Sequence, residues 1–334
     1  GARNDAKIET IYFGGGTPSR LQIADLKLQI DTIYENYKVA QNPEITLEAN
    51  PDDLSEEYLI ELSKIGINRL SIGIQSFFED DLAMMNRAHN AAEAQKCLEL
   101  ATQYFDNISI DLIYGVPGMS DEQWQQNIET ALRFGVPHIS SYALTVEPKT
   151  ALNTLIQKGK IDAPKDEVAE AHFQILVETL EKNGFIHYEL SNFGKENYFS
   201  KNNSAYWLGK KYIGIGPSAH SYDGISRSWN VANNALYLKA IQQNQLPNEK
   251  EILSTADRYN EYIMTGLRTI WGVALDRIER EFGLDYLDYL IKQSEKFVKD
   301  ELLAIENNIL KPTSKGKFLT DGIASDLFYI NLEV

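Results

Sequence analysis

Cysteine is nearly absent from this sequence. One residue, Cys97, stands among 334, so no intrachain disulfide can form and no metal centre made only of cysteine thiolates can assemble from this chain. It falls at helical apolar spacing in AEAQKCLELATQYF and reads as a buried small hydrophobe. Long apolar runs are absent as well. No window approaches the length that a membrane-spanning helix needs, and the N-terminal GARNDAKIE lacks a signal-peptide pattern, so a soluble, cytoplasmic protein is expected. Positive charge is scarce: 32 Lys and Arg face 48 Asp and Glu, a net charge of −16. That field repels phosphate backbones, and no basic stripe interleaved with aromatics offsets it, so no nucleic-acid partner is expected.

What is present is a rhythm. Apolar, β-branched runs at 8–13, 44–50, 69–75, 108–115 and 138–146 alternate with amphipathic segments such as EEYLIELSKIG and DEQWQQNIETALRFG, in units of about 30 residues. Repeated βα crossovers produce this pattern, and it predicts a parallel sheet or barrel. Asn90 with Glu93, and Ser120 with Gln123, have capping-box spacing. Gly66, Gly135 and Gly184 follow apolar-periodic stretches as helix stops.

Beyond residue 150 a long helix, DEVAEAHFQILVETLEKNG, leads to another strand over 186–193 and then to a loop-rich stretch dense in Gly, Asn, Ser and aromatics. From about 250 the pattern is mostly helical with a hairpin-like end, which suggests a compact winged-helix-like accessory domain. The expected division is a core over 1–245, with an extra strand region at 186–224, and an accessory domain over 246–334.

In parallel α/β folds ligands bind at the carboxyl ends of the strands. There this sequence places Gly14, Gly15, Gly16 and Thr17, then Glu48, Gln75, Asp111 and Thr145, where a strand would prefer Val or Ile. Glycines permit a tight turn or close approach of a ligand to the main chain. Buried carboxylates call for a cationic partner, and Arg87 in MMNRAHN is a candidate. Such a pocket suits a zwitterion carrying a ribose: carboxylate to Arg, ammonium to Glu, diol to Asp and Gln.

The ordered motifs YFGGGTPS, EANPDDL, GINRLSIGIQSF, NRAHN, IDLIYGVPG, HYELSNF, YIGIGPSAHSYDG and GLRT-x-x-G span essentially the whole chain. They resemble the radical S-adenosylmethionine family of oxygen-independent coproporphyrinogen III oxidases, and more closely its oxidase-like branch regarded as heme chaperones. The resemblance implies a partial (β/α)6 barrel lacking its first strand, followed by a small, mostly helical C-terminal domain. It places S-adenosylmethionine contacts on Gly15, Gly16, Thr17, Glu48, Gln75, Arg87 and Asp111, and on the backbone around Thr145 and His220. It implies a [4Fe-4S] cluster in the full-length protein, and heme or a porphyrinogen as the bound partner. Heme-receiving proteins, some at the membrane, are further implied partners, and a homodimer stays open.

The sequence departs from that family twice. The CxxxCxxC cluster loop, which the family places upstream of the glycine turn, is not in this sequence, so no residue here is a cluster ligand and the chain is expected to be part of a longer protein, inactive by itself. In SKNNSAYW, Asn202 stands where the chaperone branch has a histidine proposed to ligate heme. His220 and His187 are the candidate substitutes, while His89, His138 and His172 show no metal-ligand spacing and read as structural. The expected function is that of a heme chaperone. The alternatives are oxidative decarboxylation of coproporphyrinogen III on the same scaffold and, from another class, a barrel hydrolase or lyase using Glu48 and Asp111 as an acid/base pair. A Ser-His-Asp hydrolase is weaker still as a reading, because GIGPSAH is not G-x-S-x-G and gives Ser218 no nucleophile elbow.

Overall fold

The structure, a computed structural model, describes residues 7–330. The chain divides into two compact units, residues 1–202 and residues 203–334. In the first, the order is β1 (Ile8–Phe13), α1 (Ile23–Asn36), β2 (Val39–Ala49), α2 (Glu56–Lys64), β3 (Arg69–Gln75), α3 (Glu79–Met84), α4 (Ala91–Tyr104), β4 (Ile108–Tyr114), α5 (Asp121–Arg133), β5 (His138–Ala143), α6 (Ala151–Gln157), α7 (Asp166–Lys182), β6 (Ile186–Glu189) and β7 (Asn192–Gly194). The strands form one curled, half-barrel sheet in the order β1-β2-β3-β4-β5-β7-β6. β1 to β5 are parallel, as the βα alternation predicts.

The segment over 186–193 differs from expectation. It is a hairpin, because the Glu189 carboxylate accepts the Ser191 amide at 3.0 Å and the chain reverses there. β7 then runs antiparallel to β5, and β6 antiparallel to β7.

The sheet has two unlike faces, set by the period of two along a strand. Ile11, Phe13, Ile45, Leu47, Leu70, Ile72, Ile74, Ile108, Ile110 and Leu112 are all buried on one face, together with Leu59, Leu62, Leu98, Trp124, Leu176 and Leu180 from the helices. Each fully buried aliphatic side chain contributes about 2 kcal/mol. The intervening positions are polar: Tyr12, Thr46, Glu48, Arg69, Ser71, Ser109, Asp111, His138 and Ser140. A parallel sheet covered by helices on both sides would be apolar throughout, so this alternation marks an inner, lumen-like face.

Polar groups on that face are bonded to one another. Arg69, 2 % exposed, donates to Asn107 Oδ1 and to the Tyr198 carbonyl. His138 lies between Ser109 Oγ at 2.6 Å and the Tyr188 hydroxyl at 2.7 Å. Glu44, also buried, accepts the amides of Lys201 and Asn202 at 3.1 and 3.0 Å, at the start of α8 (Lys201–Trp207). A carboxylate is favoured there because the first turn of a helix has unpaired N–H groups.

Of the helix signals, Asn90 and Glu93 form the full capping box. Ser120 caps α5 through the Gln123 amide at 3.2 Å, but the Gln123 side chain turns away to Asp81, 3.5 Å distant, so that box is one-sided. Gly66, Gly135 and Gly184 all have positive φ at helix ends, as the sequence predicts.

In the second unit, β8 (His220–Tyr222), β9 (Ser226–Asn230) and β10 (Asn248–Ile252) make an antiparallel sheet ordered β10-β9-β8, with α9 (Asn234–Gln242) between the last two strands in sequence. The strands expected within 186–224 therefore fall in different sheets. There follow α10 (Thr255–Leu267), β11 (Val273–Ala274), α11 (Leu275–Phe282), α12 (Leu284–Lys299), β12 (Leu303–Glu306), β13 (Ile309–Pro312) and α13 (Thr320–Asp326). They enclose a core that includes Tyr259, Ile263, Leu267, Ile278, Leu290 and Leu310. The proposed accessory domain, 246–334, contains this core. Among the described residues no helix is long and apolar enough to cross a membrane.

Removing the Glu44 carboxylate leaves two part-buried amides at the start of α8 without an acceptor. Glu44→Ala is expected to lower stability by about 2–4 kcal/mol, measured as a shift of the urea unfolding midpoint; a shift equivalent to less than about 0.5 kcal/mol would show that α8 is held by other means.

Candidate functional site

The carboxyl ends of β1 to β4 converge on one cleft. Gly16, Thr17, Ser19, Glu48, Asn50, Ser71, Gly73, Gln75, Arg87 and Asp111 are among the residues that line it. Of the residues singled out in the sequence, Gly16, Thr17, Glu48, Gln75, Arg87 and Asp111 therefore come together. Gly15 stands just outside, Thr145 is exposed beyond β5, and His220 belongs to the second unit.

The glycine turn has a specific task. An added Cβ at Gly14 would lie 2.6 Å from the Tyr12 ring and 2.9 Å from Glu48 Oε1, so no other residue fits there without displacing both. Gly15 and Gly16 take φ of 75° and 65°, a region that L side chains avoid. The turn holds Glu48 from two sides: the Gly15 amide donates to Oε2 at 3.0 Å and the Tyr12 hydroxyl to Oε1 at 2.7 Å. The Gly15 amide is thereby committed to Glu48 rather than free for a ligand. Burial pushes the Tyr12 phenol far upward, and the Glu48 carboxylate adds to this, so Tyr12 stays a hydrogen-bond donor.

Gln75 has φ of 69° at the end of β3, where the β3–β4 register slips. A non-glycine residue in this conformation is strained by about 1 kcal/mol. The turn is held from behind by Ser76, which donates to Asp81 Oδ2 at 2.6 Å, and by the Phe77 amide, which donates to Asn127 Oδ1 at 2.7 Å. Gly73 makes room in front: a Cβ there would meet Gln75 Nε2 at 2.8 Å and Arg87 Nη2 at 3.2 Å.

Arg87 is in no ion pair among the described residues. Its Nη2 donates to Asn50 Oδ1 at 3.0 Å and weakly to the Gly73 carbonyl at 3.4 Å, and its buried Nε has no partner. An unsatisfied guanidinium in a cleft calls for an anionic ligand. Asp111 is its counterpart. Burial, then the nearby Glu48 charge, push its carboxyl up to about 7, against the opposing pull of a Ser140 hydrogen bond and of Arg87 and Arg69. A cation or a diol brought beside Asp111 would relieve that destabilisation of its charged form.

Tyr12, Asn50, Gly73, Ser71 and Ser140 are site residues that the sequence reading missed. All but Asn50 lie on the polar phase of the strand alternation, which was the available signal.

The donor set fits S-adenosylmethionine: a guanidinium with an unpartnered Nε, two carboxylates and an amide side chain. It does not fit an iron–sulfur cluster. Cys97 is buried within α4, its thiol pushed up to about 12 by burial, and among the described residues no group of three or more His, Cys, Asp or Glu could hold a metal ion.

Two family models match the chain: the radical SAM superfamily over residues 2–131 and the HemN C-terminal domain over 253–319. Heme chaperone HemW of Bacillus subtilis is 35 % identical over 316 residues, covering 93 % of this chain and 83 % of that protein. Its counterpart in Lactococcus lactis is 33 % identical, covering 95 % and 86 %. Among solved structures, the coproporphyrinogen III oxidase HemN of Escherichia coli, a radical SAM enzyme, superposes with a TM-score of 0.82 over 96 % of this chain and 78 % of that one, at 21 % identity. At that identity the likeness is one of fold.

Asp111 makes stability depend on pH. Its folded value is raised above its unfolded one, so its contribution is fully present below about pH 4 and is lost as pH rises toward about 7. Asp111→Asn, neutral throughout, is expected to be more stable than the parent chain above pH 7, by on the order of 4 kcal/mol at most. The advantage should fade toward pH 4 in denaturation series at both ends of this range; a pH-independent difference would show that Asp111 ionises freely.

Proposed function

The chain belongs to the radical S-adenosylmethionine family of HemN- and HemW-like proteins, and on that premise we propose that it is a heme chaperone, which binds heme and passes it to acceptor proteins. The observation that carries this reading is the identity of 32–35 % with heme chaperones over 93–96 % of the chain. Likeness to the oxidase rests on fold at 21 % identity and favours no second reading.

In this proposal the cleft binds S-adenosylmethionine through this chain's own side chains. Arg87, with its unsatisfied Nε, takes the ligand carboxylate. Glu48, fixed by Tyr12 and Gly15, takes the ammonium. Asp111 and Gln75 take the ribose diol, and Gly73 leaves the space in which they do so. When bound, the ligand supplies a reducible sulfonium, the source of a carbon radical. This chain's residues orient it and exclude water.

Two measurements test the reading. By calorimetry, Glu48→Ala and Asp111→Ala should each weaken S-adenosylmethionine binding by about ten- to a hundredfold, and unchanged affinity in both would refute the assignment. In a protein extended upstream to carry a CxxxCxxC loop, hemin should be captured stoichiometrically while coproporphyrinogen III is not consumed under anaerobic reducing conditions. Turnover without hemin affinity would replace the chaperone reading with the oxidase one.

A further inference from the structure

Four of the five histidines are committed to the fold. His89, His138, His172 and His187 are all buried. His89 Nε2 contacts the Ile74 carbonyl at 3.0 Å, and both ring nitrogens of His138 are engaged by Ser109 and Tyr188. His172 accepts the Gly115 amide on Nδ1 at 3.1 Å and faces Asp121 with Nε2. His187 bonds the Leu190 carbonyl at 3.0 Å and stacks on Phe193 with centroids 4.1 Å apart.

His220 is the exception. It is exposed on β8, its ring nitrogens have no hydrogen-bond partner among the described residues, and its ring lies 6.1 Å from that of Trp229, its cross-strand neighbour on β9.

The surroundings of His220 are apolar in an unusual way. Tyr212 and Tyr222 exchange amide hydrogen bonds at 3.0 and 2.9 Å, which lays residues 212–216 along β8. A Cβ on Gly214 would come within 2.1 Å of the His220 carbonyl oxygen, so the two main chains touch. The residues on either side of Gly214, Ile213 and Ile215, are 61 % and 71 % exposed. An open imidazole thus stands beside an indole, on a strand next to a segment that exposes two aliphatic side chains. Exposed apolar groups gathered around one polar donor mark a ligand surface.

Asn202 offers no alternative donor. Its Oδ1 accepts the Thr10 hydroxyl at 3.0 Å and its main-chain amide is held by Glu44. An amide side chain tied in this way gives iron no imidazole nitrogen.

We propose that His220 is the axial ligand through which this chain holds heme iron, with Trp229 in contact with the macrocycle. This inference rests on the heme-binding reading above and names the iron ligand within it. Heme iron takes a neutral imidazole nitrogen, and the flat apolar macrocycle gains from contact with exposed aliphatic and aromatic surface.

Titration of the chain with ferric hemin, followed by absorption, tests it. The parent chain should bind one equivalent with the bands of imidazole-ligated heme. His220→Ala should lose at least about tenfold in affinity and show the bands of hemin without an imidazole. Adding free imidazole to His220→Gly should restore the ligated spectrum. Iron-free protoporphyrin IX should bind parent and His220→Ala alike, because only the metal bond is removed. An unchanged affinity and spectrum in His220→Ala would overturn the assignment and leave the chaperone reading standing, whereas failure of the parent chain to bind hemin would overturn that reading itself. Equal loss of iron-free porphyrin would overturn ligation in favour of packing.

Discussion

The first unit depends on a sheet that cannot be apolar on both sides. Strands whose alternate positions are Tyr12, Glu48, Arg69, Asp111 and His138 can bury only one face in a hydrocarbon layer. The other face must be closed by its own hydrogen bonds. Curling brings the strands' polar side chains toward one another, and each finds partners from a neighbouring strand or loop: Tyr12 with Glu48, His138 with Ser109 and Tyr188, Arg69 with Asn107. Dispersion and the hydrophobic effect hold the helices on the outer face. Polar satisfaction holds the inner face.

At the rim of that inner face the accounting is left incomplete. Deep in the sheet Glu44 and Arg69 have matched partners. In the cleft Arg87 retains a buried Nε without one, and Asp111 resists ionisation. A fold selected only for stability would pair or remove such groups. These two groups distinguish the cleft from the equally polar interior beneath it, and they are where the proposed ligand would bind.

Much of this was legible in the sequence. The βα rhythm predicts the parallel strands, and glycines and acids past apolar runs predict the rim, because both depend on local spacing. The capping box at Asn90 was legible for the same reason. The rest depends on long-range partners. That Gly15 donates to Glu48 requires knowing that β1 and β2 are neighbours in register. Gln123 abandons its box because Asp81, from another helix, lies within reach. The hairpin at Glu189 turns on one side chain folding back two residues, which no periodicity reports. The inner polar face was readable as a period of two, but the apolar phase of the same strands is the stronger signal and masks it.

Gln75 has a consequence of another kind. Its left-handed backbone is supported from behind by Ser76, Asp81, Phe77 and Asn127 and cleared in front by Gly73. Glycine at that position would relax the backbone and keep the turn, at the loss of the amide side chain that reaches into the cleft. If Gln75 contacts the ligand as proposed, stability and recognition pull in opposite directions at a single residue, and selection of variants for heat resistance alone would be drawn to the substitution that blunts the cleft.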